Sequence, residues 1–187
     1  MINLKEMIVE EIWMSGEFNE ESAMDVRKKI LDRASISSSM PIVIYINSPG
    51  GSISALAKII DTLDSLPNPV ITVCCGQASS AGAVLLARGD KAFIGKNSTV
   101  MIHKASSGIR GNDVEMLNEA KSLAQANDMM IEYISKKTKK NKKKIKALLD
   151  SNVDINLTAK EAVEFGIVDA IGVPLVMEKT IYEVVVK

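Results

Sequence analysis

Histidine is the scarcest chemically versatile residue of this chain, with a single copy, His103, among 187 residues. Any site that needs an imidazole within one subunit therefore has one candidate. Cysteine occurs only at Cys74 and Cys75, and because neighbours on a strand point to opposite faces, no disulfide between them is expected. The sequence predicts no metal site and no cofactor, and its sparse cysteine is typical of a reducing, cytoplasmic compartment.

Net charge is also lacking, because 23 lysines and arginines balance 23 aspartates and glutamates. No overall field favours nucleic acid or an anionic membrane. No apolar run approaches the roughly 20 residues that span a bilayer, and the first residues lack the pattern of a signal peptide. The lysine-rich segment 136–144 has no interleaved aromatic residues, which favours a solvated turn over nucleic-acid binding. We therefore expect no nucleic-acid or membrane partner.

What the sequence does contain is an alternation of strand and helix patterns. Strands are predicted at 8–14, 42–46, 70–74, 92–94, 99–102, 167–169 and 181–187. Helices are predicted after Asn19, after Ser52, and over 83–87, 113–137, 141–149 and 158–165. Short connections between the first strands and helices indicate a parallel β-α-β core, and the length suits a single α/β domain over 1–187.

The segment 76–83 lies between a predicted strand and an apolar helix. A serine at such a turn is exposed, with a helix N-terminus behind it that favours negative charge. Ser80 is the candidate nucleophile, and Ser79 is its competitor. Ser80 is preferred because small residues follow it and let a backbone approach closely. His103 is then the candidate base.

Two glycines end the second predicted strand, at the edge where substrates approach parallel sheets. Gly50 and Gly51 suggest unusual dihedral angles or close contact with a substrate. The backbone N–H groups of Gly51 and Ala81 are the candidate oxyanion donors. Each of these motifs alone is more typical of a packing turn than of an active site.

Four segments in order resemble the Clp protease proteolytic subunit family, ClpP: residues 45–51, 76–83, 101–103 and 157–169. The resemblance implies the crotonase-like ClpP fold, a long handle helix at 113–137 and serine endopeptidase activity on proteins or peptides. It places the nucleophile at Ser80, the base at His103 and the triad aspartate at Asp154. Spacing alone would not separate Asp154 from Asp150.

The resemblance also implies further contacts and partners. Gly50 and the glycine-rich segment Ser107, Gly108 and Ile109 correspond to positions that bind the substrate backbone. The handle helix implies a homo-oligomer, a ring or a double heptameric ring. The short segment before the first strand resembles shortened, phage-type members, so docking of a Clp-type ATPase is an open expectation.

The resemblance has departures, and two other functions compete with a peptidase. Ala81 stands where the family usually has methionine, and Lys104-Ala105 replaces the usual Gln-Pro after the histidine. One alternative is a non-catalytic structural ring subunit, although all three triad candidates are present. The other is a crotonase-fold acyl-CoA enzyme, which would share the oxyanion donors but would not need Ser80 and His103.

Overall fold

A computed structural model describes residues 11–108 and 110–174 of the chain. Its strands are β1 (Ile12–Phe18), β2 (Ile42–Gly51), β3 (Val70–Ser79), β4 (Lys91–Ile94), β5 (Thr99–Ile102), β6 (Ile155–Thr158) and β7 (Ala170–Ile171). Its helices are α1 (Glu20–Ile36), α2 (Ile53–Asp64), α3 (Ala81–Arg88), α4 (Asp113–Thr138), α5 (Lys142–Asp150) and α6 (Ala159–Phe165). This architecture confirms the predicted α/β class, including the long handle helix.

The sheet forks at its central strand. Parallel pairing joins the strands in the order β1-β2-β3-β4-β7. The first part of β3, Ile71–Cys74, pairs with β4, whereas its last part, Gln77–Ser79, pairs with β5. Strand β6 runs antiparallel to β5. The fork opens at the carboxyl end of β3, where the candidate nucleophile lies.

Strand β2 is buried on both faces, as its continuous apolar run predicts. Ile42, Ile44 and Ile46 face the main core, while Val43 and Tyr45 join a smaller cluster on the other face. Helices α1 and α2 pack against each other beside the main core. Asn19 and Ser52 cap these helices with side-chain oxygens, which fixes where each helix begins after its strand.

The structure extends several predicted strands. Glycine and proline residues predicted strand ends before Gly16 and at residues 48–51. In the structure both strands continue through these positions with a shift of register, between Ser15 and Glu17 in β1 and between Ile46 and Ser48 in β2. Strand β7 begins at Ala170 rather than at 167, since Asp169 uses its side chain to accept the Ala92 N–H. The predicted strand at 181–187, and residues 8–10 of the first one, lie outside the described residues.

Helix α4 is buried only in its second half. Its buried residues begin at Ala126, and Val114, Met116 and Leu117 near its start are 54–60% exposed. The apolar sequence of this helix therefore serves the core at one end and leaves an exposed apolar surface at the other. None of the helices in the described part of the chain is long and apolar enough to cross a membrane.

Two lysines of the lysine-rich segment at the end of α4 make contacts within the protein. The Lys137 ammonium donates to the Gly89 carbonyl and to Asp169, and Lys140 donates to the Phe165 carbonyl while lying over its ring. Burial raises the pKa of Asp169, but the hydrogen bonds from Lys137 and the Ala92 N–H outweigh it and hold that pKa below its usual value. These contacts fasten the α4–α5 turn to the body, in keeping with the predicted turn.

Candidate active site

Ser80 forms a strained elbow between β3 and α3. Its backbone has φ 54° and ψ −115°, a conformation that non-glycine residues rarely adopt and that costs about 1–3 kcal/mol. Its N–H donates to the Met101 carbonyl at 2.8 Å, which continues the β3–β5 pairing through the elbow. The fold thus holds this serine at the start of a helix whose first N–H groups have no intrahelical acceptor.

His103 follows β5 and reaches this elbow directly. Its Nε2 lies 2.9 Å from the Ser80 Oγ, within hydrogen-bond distance. Both side chains are half-buried, so the contact lies in a partly solvated site. Ser79, the competing nucleophile, is only 7% exposed and makes no hydrogen bond to the imidazole within the described ranges. Of the two serines, Ser80 is the one placed against the base.

The Gly50–Gly51 turn packs against the same elbow. A Cβ placed on Gly50 would lie 2.7 Å from the Ser80 Cβ, 3.0 Å from the Ser79 oxygen and 3.3 Å from the Ala81 nitrogen. Both glycines also have positive φ, 106° and 135°, which side chains rarely tolerate. Gly50 is therefore required for a close approach of β2 to the elbow, whereas a Cβ on Gly51 would meet Phe18 and Glu17 of β1. The role of Gly51 and Ala81 as oxyanion donors stays a prediction.

His103 and Asp154 lie one residue beyond the β5–β6 ladder. The last pair of this antiparallel ladder is Ile102 with Ile155, and continuing its register would set His103 opposite Asp154. Side chains directly opposite each other have Cβ atoms about 4.5–5.5 Å apart in regular pairs. Within the described residues, however, no hydrogen bond joins the Asp154 carboxylate to the imidazole, and Asp154 is exposed. The ladder brings the two residues to neighbouring positions without closing their contact.

Asp150 is occupied elsewhere. Its Oδ1 accepts from the Lys104 ammonium at 3.0 Å, and its Oδ2 accepts from the Lys146 ammonium at 2.8 Å. The hydrogen bonds from Lys146 and Lys104 hold the pKa of Asp150 below its usual value. Because both of its carboxylate oxygens are bound to lysines, Asp150 is a poor partner for His103. The structure thus distinguishes Asp150 from Asp154, which sequence spacing could not do.

A cleft of about 690 Å³ opens beside Gly51. Helix α4 forms one wall with Glu119, Leu123 and Met129, and the start of α2 forms the opposite wall with Ile53. Apolar and polar side chains both line it, and Glu119 is the one charged residue among the described residues that do so. Its size and its position beside Gly51 suit a side chain of a bound peptide.

The segment after His103 is irregular rather than a strand. Ser107 lines the cleft together with Gly51, whereas a Cβ on Gly108 would meet nothing within 4 Å. Ile109 lies outside the described residues. The assignment of these three positions to substrate binding stays a prediction. Across the described ranges, histidine, cysteine, aspartate and glutamate form no cluster that could hold a metal ion.

Sequence reasoning missed the groups that support the site. The Ser98 hydroxyl accepts the Gly76 N–H at 2.9 Å, and the Asn127 side chain accepts the Ala105 N–H at 2.9 Å. Each contact joins residues 22 positions apart with no local pattern to mark it. The Lys104–Asp150 ion pair spans 46 positions and was equally invisible.

Comparison of the sequence with known proteins matches the chain to one family. A family model described as Clp protease matches residues 3–174. ATP-dependent Clp protease proteolytic subunit 2 of Bacillus licheniformis is 36% identical over 162 residues, covering 86% of this chain and 84% of that protein. Subunit 1 of Leifsonia xyli subsp. xyli is 35% identical over 162 residues, covering 86% and 81%. Subunit 2 of Corynebacterium jeikeium is 36% identical over 163 residues, covering 86% and 77%.

Proposed function

The chain belongs to the Clp protease family, and we propose that it hydrolyses peptide bonds as a serine endopeptidase with Ser80 as its nucleophile. The observation that carries this proposal is the 2.9 Å contact between the Ser80 Oγ and the His103 Nε2 at a strained strand-to-helix elbow. Family membership makes the chain a ClpP-like protease, and the contact supports the serine mechanism.

The proposed reaction proceeds in two acyl-transfer steps. His103 Nε2 takes the Ser80 proton as the Oγ attacks the peptide carbonyl, and the N–H groups of Gly51 and Ala81 stabilise the oxyanion. The imidazolium then gives its proton to the leaving amine as the C–N bond breaks. Water, deprotonated by the same imidazole, hydrolyses the acyl-enzyme and restores the serine. Asp154 orients the imidazole once its carboxylate closes on Nδ1.

Substrate side chains would enter the cleft beside Gly51. Its apolar walls would bury an aliphatic or aromatic side chain, and Glu119 would favour a basic group over an acidic one.

We also propose that the active form is a homo-oligomeric ring or double ring, joined through the exposed start of α4. The exposed apolar side chains of Val114, Met116 and Leu117 support this, since a monomer would leave them in water. The names of the relatives, ATP-dependent Clp protease proteolytic subunits, support a Clp-type ATPase as partner. Light scattering on Leu117→Glu tests the interface; the expected result is a smaller assembly, and an unchanged mass would contradict it.

Labelling with a fluorophosphonate probe tests the nucleophile. We expect one adduct per chain in the wild type, mapped to Ser80 by peptide mass spectrometry, and none in Ser80→Ala. The neighbouring variant Ser79→Ala is the matched control and should retain the adduct. In His103→Ala the rate of labelling should fall by roughly 10²–10⁴-fold, the contribution typical of a positioned general base.

The same variants separate the peptidase from a structural ring subunit. Peptide hydrolysis that is unchanged in Ser80→Ala would remove Ser80 as the nucleophile. Hydrolysis and labelling that are both absent from the intact wild-type assembly would favour the structural subunit. Asp154→Asn should lower the turnover number while leaving the peptide KM nearly unchanged, because it acts through the imidazole.

A further inference from the structure

The residue after the proposed base is tied to α5 by an ion network. Lys104 pairs with Asp150 at 3.0 Å, and Asp150 pairs in turn with Lys146, four residues earlier on the same helix, at 2.8 Å. We call these two ion pairs the α5 anchor. A second contact, the Ala105 N–H donating to Asn127, ties the next residue to α4.

The α5 anchor joins the two chain segments that carry the proposed base and its orienting acid. Lys104 directly follows His103, and Asp150 ends α5 just before the turn that leads to Asp154. The β5–β6 ladder ends at Ile102 and Ile155, one residue short of His103 and Asp154. Beyond the ladder, the anchor is a further link between these two segments.

We propose that Lys104 and Asp150 are positioning residues, which hold the His103 backbone so that the imidazole stays against Ser80 while Asp154 is not yet engaged. The inference rests on the proposed serine mechanism for its kinetic test and on geometry alone for its spectroscopic test. In this structure the anchor is closed and the Ser80–His103 contact is formed, although no carboxylate of the described residues hydrogen-bonds the Nδ1 side of the ring.

The anchor can be removed without unfolding the chain. The side chains of Lys104, Asp150 and Lys146 are 41–62% exposed, and exposed ion pairs contribute little to global stability. A change of a small distance at a general base, by contrast, has a large effect on rate. Loss of the anchor should therefore appear in turnover rather than in the unfolding transition.

The kinetic test compares Lys104→Met, Asp150→Asn and the double variant. We expect each single variant to lower kcat about threefold to fivefold, the rate equivalent of losing an exposed ion pair worth up to about 1 kcal/mol, with KM unchanged within twofold. The double variant should be no slower than either single variant, since both break one link. Lys104→Arg should restore the rate. Lys142→Met, which lies on α5 like Asp150 and breaks a more exposed pair with Glu132, should match the wild type.

The signs of these effects separate positioning from simple charge. Loss of the Lys104 cation would make a nearby imidazole more basic, and loss of the Asp150 anion would make it less basic. A through-space charge effect would therefore change kcat in opposite directions in the two variants, whereas loss of positioning lowers kcat in both. Opposite shifts, or losses that add in the double variant, would overturn the inference.

The single histidine permits a test that needs no turnover. In protein labelled at histidine, NMR should show one set of imidazole signals for the wild type and Lys142→Met. Lys104→Met and Asp150→Asn should show extra sets or exchange broadening as the ring leaves Ser80. A single sharp set in both variants would overturn the inference. If the wild type fails to hydrolyse peptides, the proposed function fails while this spectrum still decides the role of the anchor.

Discussion

Gly50→Ala provides the sharpest test of how the glycine turn shapes the nucleophile. The new Cβ would lie 2.7 Å from the Ser80 Cβ, closer than real Cβ contacts, and 3.0 Å from the Ser79 oxygen, tighter than most of them. Positive φ adds a backbone cost of about 1–2 kcal/mol, and forcing a methyl group into packed space adds about 1–3 kcal/mol. The elbow should relieve the clash by moving away, which takes Ser80 with it.

The chain provides a matched control for this variant. Gly16 also has positive φ, 76°, but a Cβ there meets nothing within 4 Å. Gly16→Ala should therefore lose only the backbone cost, about 1–2 kcal/mol, and keep its activity. The difference between the two variants isolates the contact with the nucleophile.

Urea unfolding and peptide hydrolysis together read out the result. We expect Gly50→Ala to be less stable than Gly16→Ala by about 1–3 kcal/mol. Its kcat/KM should fall about 10²-fold, the loss typical of a misplacement near 1 Å. If Gly50→Ala keeps kcat/KM within twofold of Gly16→Ala, the elbow does not depend on the glycine and the reasoning is refuted.

Other measurements probe charge and reactivity across the fold. Asp169→Asn should lower the free energy of unfolding by about 1 kcal/mol, given the partial exposure of its ion pair. Because the folded pKa of Asp169 is lowered, this loss is full above the ordinary carboxyl pKa and vanishes as the pH falls through the folded pKa, so a pH-independent difference in urea unfolding would contradict it. Burial raises the pKa of Cys74 to about 12, so iodoacetamide at pH 8 should modify half-exposed Cys75 first, and equal rates by mass spectrometry would argue against this order. Glu119→Gln should reduce the preference for basic over acidic peptides about threefold, with remote Glu164→Gln as the unaffected control.

The strand-and-helix order was predictable because it depends on local patterns. The buried run 42–46 and the caps at Asn19 and Ser52 identified their elements from sequence, and the structure confirms them. Strand ends were harder, since a bulge lets a strand continue through residues such as Pro49 that usually end one. Register is a property of two strands and cannot be read from one.

The candidate site was predictable to the same extent, because local features could be read from the sequence and long-range contacts could not. Ser80 was favoured from the small residues beside it, and Asp154 came only from resemblance, because nothing local distinguishes it from Asp150. The structure separates the two carboxylates through Lys104 and Lys146, contacts made across the fold or along a helix. The support from Gly50 depends on a close approach of the end of β2 to the Ser80 elbow. A glycine in the sequence only hints at such an approach, and the distance has to come from the structure.

The fork in β3 places the proposed catalytic residues on two different strand pairs. Ser80 follows β3 and precedes α3, whereas His103 follows β5 and Asp154 precedes β6. Strand β5 is held by its pairing with Gln77–Ser79, by the Ser80 N–H bond to the Met101 carbonyl, and by Val100 and Ile102, which are buried in the main core. The contact between nucleophile and base therefore shares its supports with the core, and a substitution that loosens β5 should lower stability and break that contact together.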